Sequence, residues 1–498
     1  MADLLDAVSQ DQDTTALRNE IDTILMGPSH TDLGNAQRFC DMYKGRILHN
    51  PKLKSWVYWD GRRWVIDERK THVGLAQNVY KQVTTEIATI ETLLSQVPRE
   101  STEANLLEGR LKRAQKNCFN LKNAPTIYRM LDMAIPHLIV LMEDLDQDPW
   151  KLNVANGTLD LRTKSLHDHQ PGDRITRLAP VRFDPKAEAP RWLRFLDEIF
   201  PDKSVIPFLQ KFCGYSLTGL TREHIFFIFC GDGRNGKSVF LDAMDAMMGD
   251  YSMYTDPEVF TGKSGLAKNE MHRLVGARLV RTSETKKGKK LDESIVKQIS
   301  GEKAIVVKKL FVDTFEAQPK FKVAMSTNHR PHIDGTDEAI WERLFLIPFP
   351  RYFQPEEREQ DLDLVLLQEL SGILNWCLDG LDAYRREGLI TDVPESVRTA
   401  RRRYREEEDT LLEFIENRCA FGPEYATIWA DIWGAYLSWC ELRAIRHPVG
   451  EATLRARLKR VPWGTNGDQR IYCEDGTRPR PWRGITVFWK KEEGKLSS

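Results

Sequence analysis

Between Gly231 and Ser238 the chain reads Gly-Asp-Gly-Arg-Asn-Gly-Lys-Ser, a full match to G-x-x-x-x-G-K-[ST]. Those residue types in that order suit a nucleoside triphosphate. Gly231, Gly233 and Gly236 let backbone N–H groups close around phosphate oxygens, and Asn235 belongs to the same loop. Lys237 is placed to reach the β- and γ-phosphates, and the Ser238 hydroxyl to hold Mg2+. ATP with Mg2+ is the expected cofactor. An ordinary glycine loop would also satisfy the spacing, but the setting argues against it. Six uncharged residues, Ile225–Cys230, precede the loop, and Val239, Phe240, Ala243, Met244 and Met247 follow it at helical spacing.

Hydrolysis also needs a carboxylate near the metal, an aligned water and positive charge for the transition state. Glu284, ending the expected strand 278–283, is the candidate carboxylate, against the reading of an ordinary exposed Glu. Asn328, ending the run 321–327, is the candidate for orienting the water, against a turn residue before Pro331. Arg343 has two readings on spacing alone: an arginine finger for a neighbouring subunit's nucleotide, or a partner of Glu338 or Glu342.

A second chemistry is suggested by cations. From Lys286 to Lys309 there are eight lysines against three acids, in a chain of 72 Lys+Arg and 73 Asp+Glu. A solvated loop accounts for 286–290. Lys308 and Lys309 follow Ile305-Val306-Val307 and precede Leu310-Phe311, which reads as a β-hairpin with a basic edge. Backbone-binding cations there give salt-dependent grip on single-stranded DNA without sequence preference. Near the C-terminus, Arg455, Arg457, Lys459 and Arg460 fall on one helical stretch, and Arg478, Arg480 and Arg483 around a hairpin turn. A recognition helix with a basic wing would use them on duplex backbone, and the alternative is a protein contact.

The elements that must position these residues can be read around them. Residues 1–34 read as a flexible tail with one amphipathic helix, and 35–147 as a mainly helical domain. Within it, 35–48, 73–94, 103–117 and 124–141 read as helices and Trp56–Val65 as a hairpin turning at Asp60-Gly61. Residues 148–204 form a connector with a hairpin at 156–161. The core, 205–355, carries strands at 225–230, 278–283, 321–327 and 344–348, each ending in a polar residue or the loop, as in a largely parallel sheet. Residues 356–409 read as a helical lid whose charged end, 398–409, is a solvated linker. The final unit, 410–498, reads as three helices and then a hairpin, the order of a winged helix. The fold class is therefore α/β.

Eight scattered cysteines without paired spacing speak against a zinc site or a disulfide framework and fit a reducing cytosol. No apolar run reaches the ~18 residues of a membrane span. The start lacks a signal peptide, so a cytoplasmic protein with no membrane partner is expected. Asp144-Leu145-Asp146 has polymerase-like spacing but no matching carboxylate nearby, and it reads as a solvated helix end.

In order, GDGRNGKS at 231–238, LVRTSE at 279–284, KQISGE at 297–302, FKVAMSTN at 321–328 and IWERLFLIPF at 340–349 resemble a superfamily 3 helicase of the AAA+ class. The closer resemblance is to the helicase part of phage and plasmid primase–helicases, a group that includes the poxvirus primase–helicase. VANGTLDLRT (154–163), FDPKAEAPRWLRFL (183–196) and FLQKFCGYSLTG (208–219) echo the region that precedes the helicase in that group. The resemblance implies an AAA+ P-loop NTPase core, a winged-helix end, and a homo-hexamer acting on single-stranded and forked DNA. It implies roles for Lys237 and Ser238 in the P-loop, Glu284 as the Walker B acid, Asn328 as the sensor and Arg343 as the finger. It also implies a lysine of the Lys308/Lys309 pair in a central channel, and 3′→5′ movement. Thr285 stands where many superfamily members have a second acid. A separate primase or loader is the further partner it leaves open. The rivals are an ATP-switched origin-binding or loading factor, a fused primase–helicase, and a small-molecule kinase.

Overall fold

The computed structural model describes residues 15–261, 270–271, 273–283, 289–301, 305–307, 315–333, 338–408, 410–443, 445, 448–459, 465–466 and 481–488. The first element, α1 (15–26), is not a loose tail. Its apolar face (Leu17, Ile21, Ile24, Leu25) packs on Ile90, Leu93 and Leu107. Helix α2 (Asp32–Met42) starts where the Thr31 hydroxyl accepts from Gly34 N–H. It stops at Met42, short of the expected 48, because Ile47–Asn50 forms strand β1, paired with β2 (Ser55–Trp59). Strand β3 (Trp64–Ile66) completes a three-stranded antiparallel sheet. The expected two-residue turn is a four-residue loop, with Trp59 opposite Trp64. The Asp60 carboxylate accepts from the N–H groups of Arg62 and Arg63 and widens the turn.

The single helix expected over 73–94 is two: α3 (Thr71–Gln77) and α4 (Val79–Gln96). α5 (Thr102–Asn120) is capped by Ser101 and runs back along α4. α6 (Ala124–Ala134) ends ten residues before Asp144, since Pro136 sits in the 3₁₀ turn that follows. Phe39, Ile47, Trp56, Val83 and Met130 share the core of this module.

In the connector, β4 (Lys151–Val154), β5 (Gly157–Asp160) and β6 (Ser165–His167) form a second antiparallel sheet, three strands where a hairpin was expected. Asp146 is no free helix end, for its carboxylate accepts from Thr176 N–H and hydroxyl. Helices α7 (Pro190–Ile199) and α8 (Val205–Ser216) then lead into the main sheet.

That sheet comprises β7 (Phe226–Cys230), β8 (Ser252–Thr255), β9 (Leu279–Thr282), β12 (Lys322–Thr327) and β13 (Leu344–Pro348). All neighbours are parallel, in the order β13-β7-β12-β9-β8. The edge strand β8 was not expected. Phe226–Phe229 are fully buried, as strands covered on both faces must be. Helices α9 (Lys237–Met248) and α8 cover one face, with α12 (Leu370–Glu387) packed on α8. α10 (Glu293–Ser300) and α11 (Glu338–Arg343) cover the other. Strands β10 (Ile305–Val307) and β11 (Phe315–Ala317) form a separate antiparallel hairpin.

Residues 398–408 of the charged stretch lie in α13 (Glu395–Glu408), which is no solvated linker. Tyr404 is buried, rests its ring edge on Trp341 and donates its hydroxyl to Pro331 O. Two buried side chains, Val397 and Tyr404, suffice to dock it on the β13 side of the sheet. The last unit runs α14 (Thr410–Arg418), β14 (Cys419–Thr427), α15 (Trp429–Leu442), α16 (Glu451–Leu458), β15 (Thr465–Asn466) and β16 (Trp482–Val487), with sheet order β14-β16-β15. The strand between the first two helices was not expected. Strand 469–473, which was expected, lies outside the described residues.

Candidate nucleotide site and nucleic-acid surfaces

The loop 231–236 joins the end of β7 to the start of α9, at the carboxyl edge of the sheet. Gly236 caps α9 with φ +86, and a Cβ there would meet Ile199 Cγ2 at 2.7 Å. At Gly231 a Cβ would meet Asn235 Nδ2 at 2.3 Å and Phe349 O at 2.5 Å. Both positions therefore exclude side chains, and the backbone is left as a cradle. Asn235 is buried; its amide donates to Phe349 O (3.4 Å) and accepts from Lys237 N–H (3.4 Å), so it ties the loop to the chain beyond β13. Lys237 is also buried, with Nζ donating to Gly231 O (2.5 Å) and Asn328 Oδ1 (3.1 Å). Ser238 is exposed in the first turn of α9, where amides and the helix dipole favour an anion.

The geometry fits a triphosphate: a side-chain-free cradle, a lysine inside it and a helix start behind it. For Mg2+ the described residues offer the Ser238 hydroxyl, which suits an ion held mainly by phosphate and water. Among the described residues no group of three or more His, Cys, Asp or Glu gathers as a metal site. Glu284 lies outside the described residues. Its neighbour Ser283 bonds the Tyr254 hydroxyl at 2.6 Å, at the same edge.

Two features here escaped the sequence. Arg281 on β9 is gripped by Asp242 and Asp245 of α9, locking that strand to the helix behind the loop. Burial raises the Asp245 carboxyl, against the bonds from Ser252 and Arg281. Burial also pushes the Cys230 thiol up to about 11, so it stays neutral beside the loop. Only the acid spacing on α9 hinted at the first of these, and the burial of a β7 end residue at the second.

Arg343 is elsewhere. It ends α11 at the amino edge of the sheet, donates Nη1 to Ala339 O, and has a buried Nε with no hydrogen-bond partner. Glu338 pairs instead with Arg405.

Of the residues expected on nucleic acid, Lys308, Lys309 and Arg480 lie outside the described residues. The strands that flank the first pair, β10 and β11, are antiparallel as expected. On α16, Arg455 pairs with Glu451 (2.7 Å) and sits 4.0 Å over the Trp429 ring. Arg457 helps hold the Glu338 carboxyl low, after Arg405 and Arg401. Two residues apart, they point roughly 200° apart around a helix, so they do not form one stripe.

Comparison with known proteins adds a family. Residues 36–201 match a model described as "D5 N terminal like", and residues 229–343 match a family of unknown function, DUF5906. A Frog virus 3 protein named by inference as a helicase is 23% identical over 394 residues, 62% of this chain and 40% of that protein. One so named from Acanthamoeba polyphaga mimivirus is 26% identical over 298 residues, 55% of this chain and 31% of its own. A protein of African swine fever virus named by inference as a primase is 22% identical over 424 residues, 79% and 44% of the two chains. By the N-terminal match and these relatives, the chain is similar to D5-like primase–helicases. It spans less than half the length of each of these relatives. Among solved structures, the A form of the apo NrS-1 C-terminal region aligns with TM-score 0.48 at 10% identity, over 90% of this chain and 98% of that one. The D5-like match begins inside α2 and ends just past α7, so it takes in both the helical module and the connector. The second match runs from β7 to Arg343 and so brackets the glycine-rich loop. Among the described residues no helix is long and apolar enough to cross a membrane.

Proposed function

We propose that this chain is the ATP-driven DNA helicase part of a D5-type replication protein. It hydrolyses ATP with Mg2+ at subunit interfaces and moves on single-stranded DNA to unwind the duplex. The observation that carries the reading is the Lys237–Asn328 contact at the carboxyl edge, between adjacent strands β7 and β12. It sets the phosphate-binding lysine beside a side-chain amide able to orient water. The strand order β13-β7-β12-β9-β8, with the loop after the inner strand β7, supports an AAA+ core of superfamily 3. The β10–β11 hairpin supports a DNA track through Lys308 or Lys309. The α14-β14-α15-α16-β15-β16 order supports a winged helix.

Under this reading the core is 205–355, preceded by the connector 148–204 and the module 35–147, and followed by the lid 356–409 and the end unit 410–498. Lys237 and the loop amides hold the phosphates, and Asn328 orients the water. Glu284 serves as the acid, and Arg343 from the next subunit meets the γ-phosphate of a homo-hexamer. Movement is 3′→5′, in the cytoplasm, with a primase or loader as the further partner.

Strand displacement on 3′- and 5′-tailed forks tests the reading, with wild type beside Lys237→Ala and Arg343→Ala. Wild type should displace the 3′-tailed substrate, both variants should lose displacement, and a mixture of the two should recover some ATPase. ATPase without stimulation by single strands, and no displacement, refutes the helicase reading in favour of an ATP-switched loading factor.

A further inference from the structure

Lys237 reaches toward β12, which places the γ-phosphate end of a bound nucleotide on that side of β7. The nucleoside must then leave the loop toward β13, on the opposite side of β7. There the chain beyond β13 straps across the loop. Asn235 bonds Phe349 O, and Phe353 N–H donates to Arg234 O at 2.9 Å. The Arg234 guanidinium donates to the Tyr352 hydroxyl at 3.0 Å. Arg234 itself holds φ +51, a left-handed backbone that a non-glycine residue keeps only when its surroundings impose it. The strap imposes it through those last two bonds. Phe353 turns inward onto the core, whereas Tyr352 is 45% exposed beside the loop. A large aromatic fixed at its hydroxyl, with its ring open to solvent, is a stacking surface.

We propose that Tyr352 is the platform on which the nucleobase of the bound triphosphate stacks, with Arg234 holding the ring in place. The proposal rests on the nucleotide-site reading above. It adds a ligand contact from outside the phosphate-loop motif, supplied by the strap after β13.

The test measures ATP and inorganic tripolyphosphate binding to the full chain carrying Tyr352→Ala, Tyr352→Phe or Lys237→Ala, each with a thermal melt. Loss of a base–aromatic stack should weaken ATP about tenfold in Tyr352→Ala. That loss should fall on KM rather than kcat, and tripolyphosphate affinity should stay at the wild-type value. Tyr352→Phe keeps the ring and should recover most of the ATP affinity. Unchanged ATP affinity in Tyr352→Ala overturns the proposal. So does an equal loss for tripolyphosphate, which would make Tyr352 a prop for the loop. Failure of the underlying reading looks different: Lys237→Ala would then bind both probes as wild type does.

Discussion

Replacing Glu86 by Gln removes one charge from a cluster that pins the start of the described chain to its helical module. Glu86 on α4 accepts from Arg38 of α2 (2.7 Å), from Arg110 of α5 (2.9 Å), and meets His30 at 3.2 Å. The same guanidiniums donate to Pro28 O, and Arg38 also to Ser29 O, so the link between α1 and α2 hangs on them. Burial alone would raise the Glu86 carboxyl. The close His30 contact, the hydrogen bond from Arg38 and the Arg38 charge overcome it and bring the value from 4.5 to about 2. At 1.36 kcal/mol per unit that difference is worth about 3 kcal/mol. The figure agrees with the ~3–5 kcal/mol expected when one partner of a buried pair is removed. Because the folded value lies below the unfolded one, the contribution is complete above pH 4.5 and is lost as pH falls through about 2. About half should remain near pH 3.3. Urea titration followed by pulsed hydrogen exchange reads the opening of α1 and α4 directly. At pH 7, Glu86→Gln should lower their opening free energy by about 3 kcal/mol, and near pH 3.3 the gap to wild type should be roughly half as large. Equal opening in the two proteins at pH 7, or a gap that does not shrink with acid, refutes the reasoning.

Gly236→Ala forces a left-handed alanine, at about 1–2 kcal/mol, and drives its methyl into Ile199 and Phe195, at a further ~1–3 kcal/mol. A lower melting temperature and weaker ATP in a fluorescence titration are expected, and a variant matching wild type in both excludes that packing. Lys322 is buried, with Nζ donating to Thr218 O (2.5 Å) and Leu220 O (3.2 Å). Burial, then the nearby Arg278 charge, hold its ammonium well below 10.5, so the unfolded chain binds that proton more readily and wild-type stability should rise with pH toward 10.5. Denaturant curves at pH 7 and 9.5 should show that rise in wild type and lose it in Lys322→Met.

What was legible in the sequence follows from how each element is stabilised. β7, β12 and β13 are buried on both faces, and their apolar runs, interrupted by charge only at Lys322, gave them away almost to the residue. β8 is an edge strand of mixed sequence, Ser-Met-Tyr-Thr, held by pairing to β9, and it carries no periodic signal. β1 hid because Ile47 and Leu48 continue the apolar spacing of α2. α13 looked solvated because most of its residues are charged, yet two buried side chains decide where it sits. Buried cations such as Arg38, Arg110 and Lys322 are invisible to any polarity rule, since carbonyls and one distant carboxylate satisfy them. The glycine-rich loop was the reverse case: its spacing and flanking patterns are local, so the strand–loop–helix turn could be read directly. The strap at 349–353 was not, because it reaches the loop through backbone atoms and an exposed tyrosine.

The two edges of the main sheet carry different halves of one proposed reaction. β13 pairs with β7 from Leu344 opposite Phe226 to Pro348 opposite Cys230, so Arg343 stands five paired rows from the level of Gly231. At about 3.3 Å per residue that is roughly 17–20 Å along the strands, more than an arginine side chain spans. Arg343 therefore does not serve the loop of its own chain. Its guanidinium is folded back on Ala339, with one N–H buried and unsatisfied, a state whose cost a better acceptor would relieve. A phosphate presented by a neighbouring copy is such an acceptor, and it would draw the guanidinium away from Ala339 as the copies dock. This is why the mixture of Lys237→Ala and Arg343→Ala is decisive: under the proposal, only interfaces that pair an intact loop with an intact Arg343 would turn over. Activity should therefore appear in the mixture although neither variant has it alone. A mixture as inactive as its components would mean that Arg343 does not act on a neighbour's nucleotide.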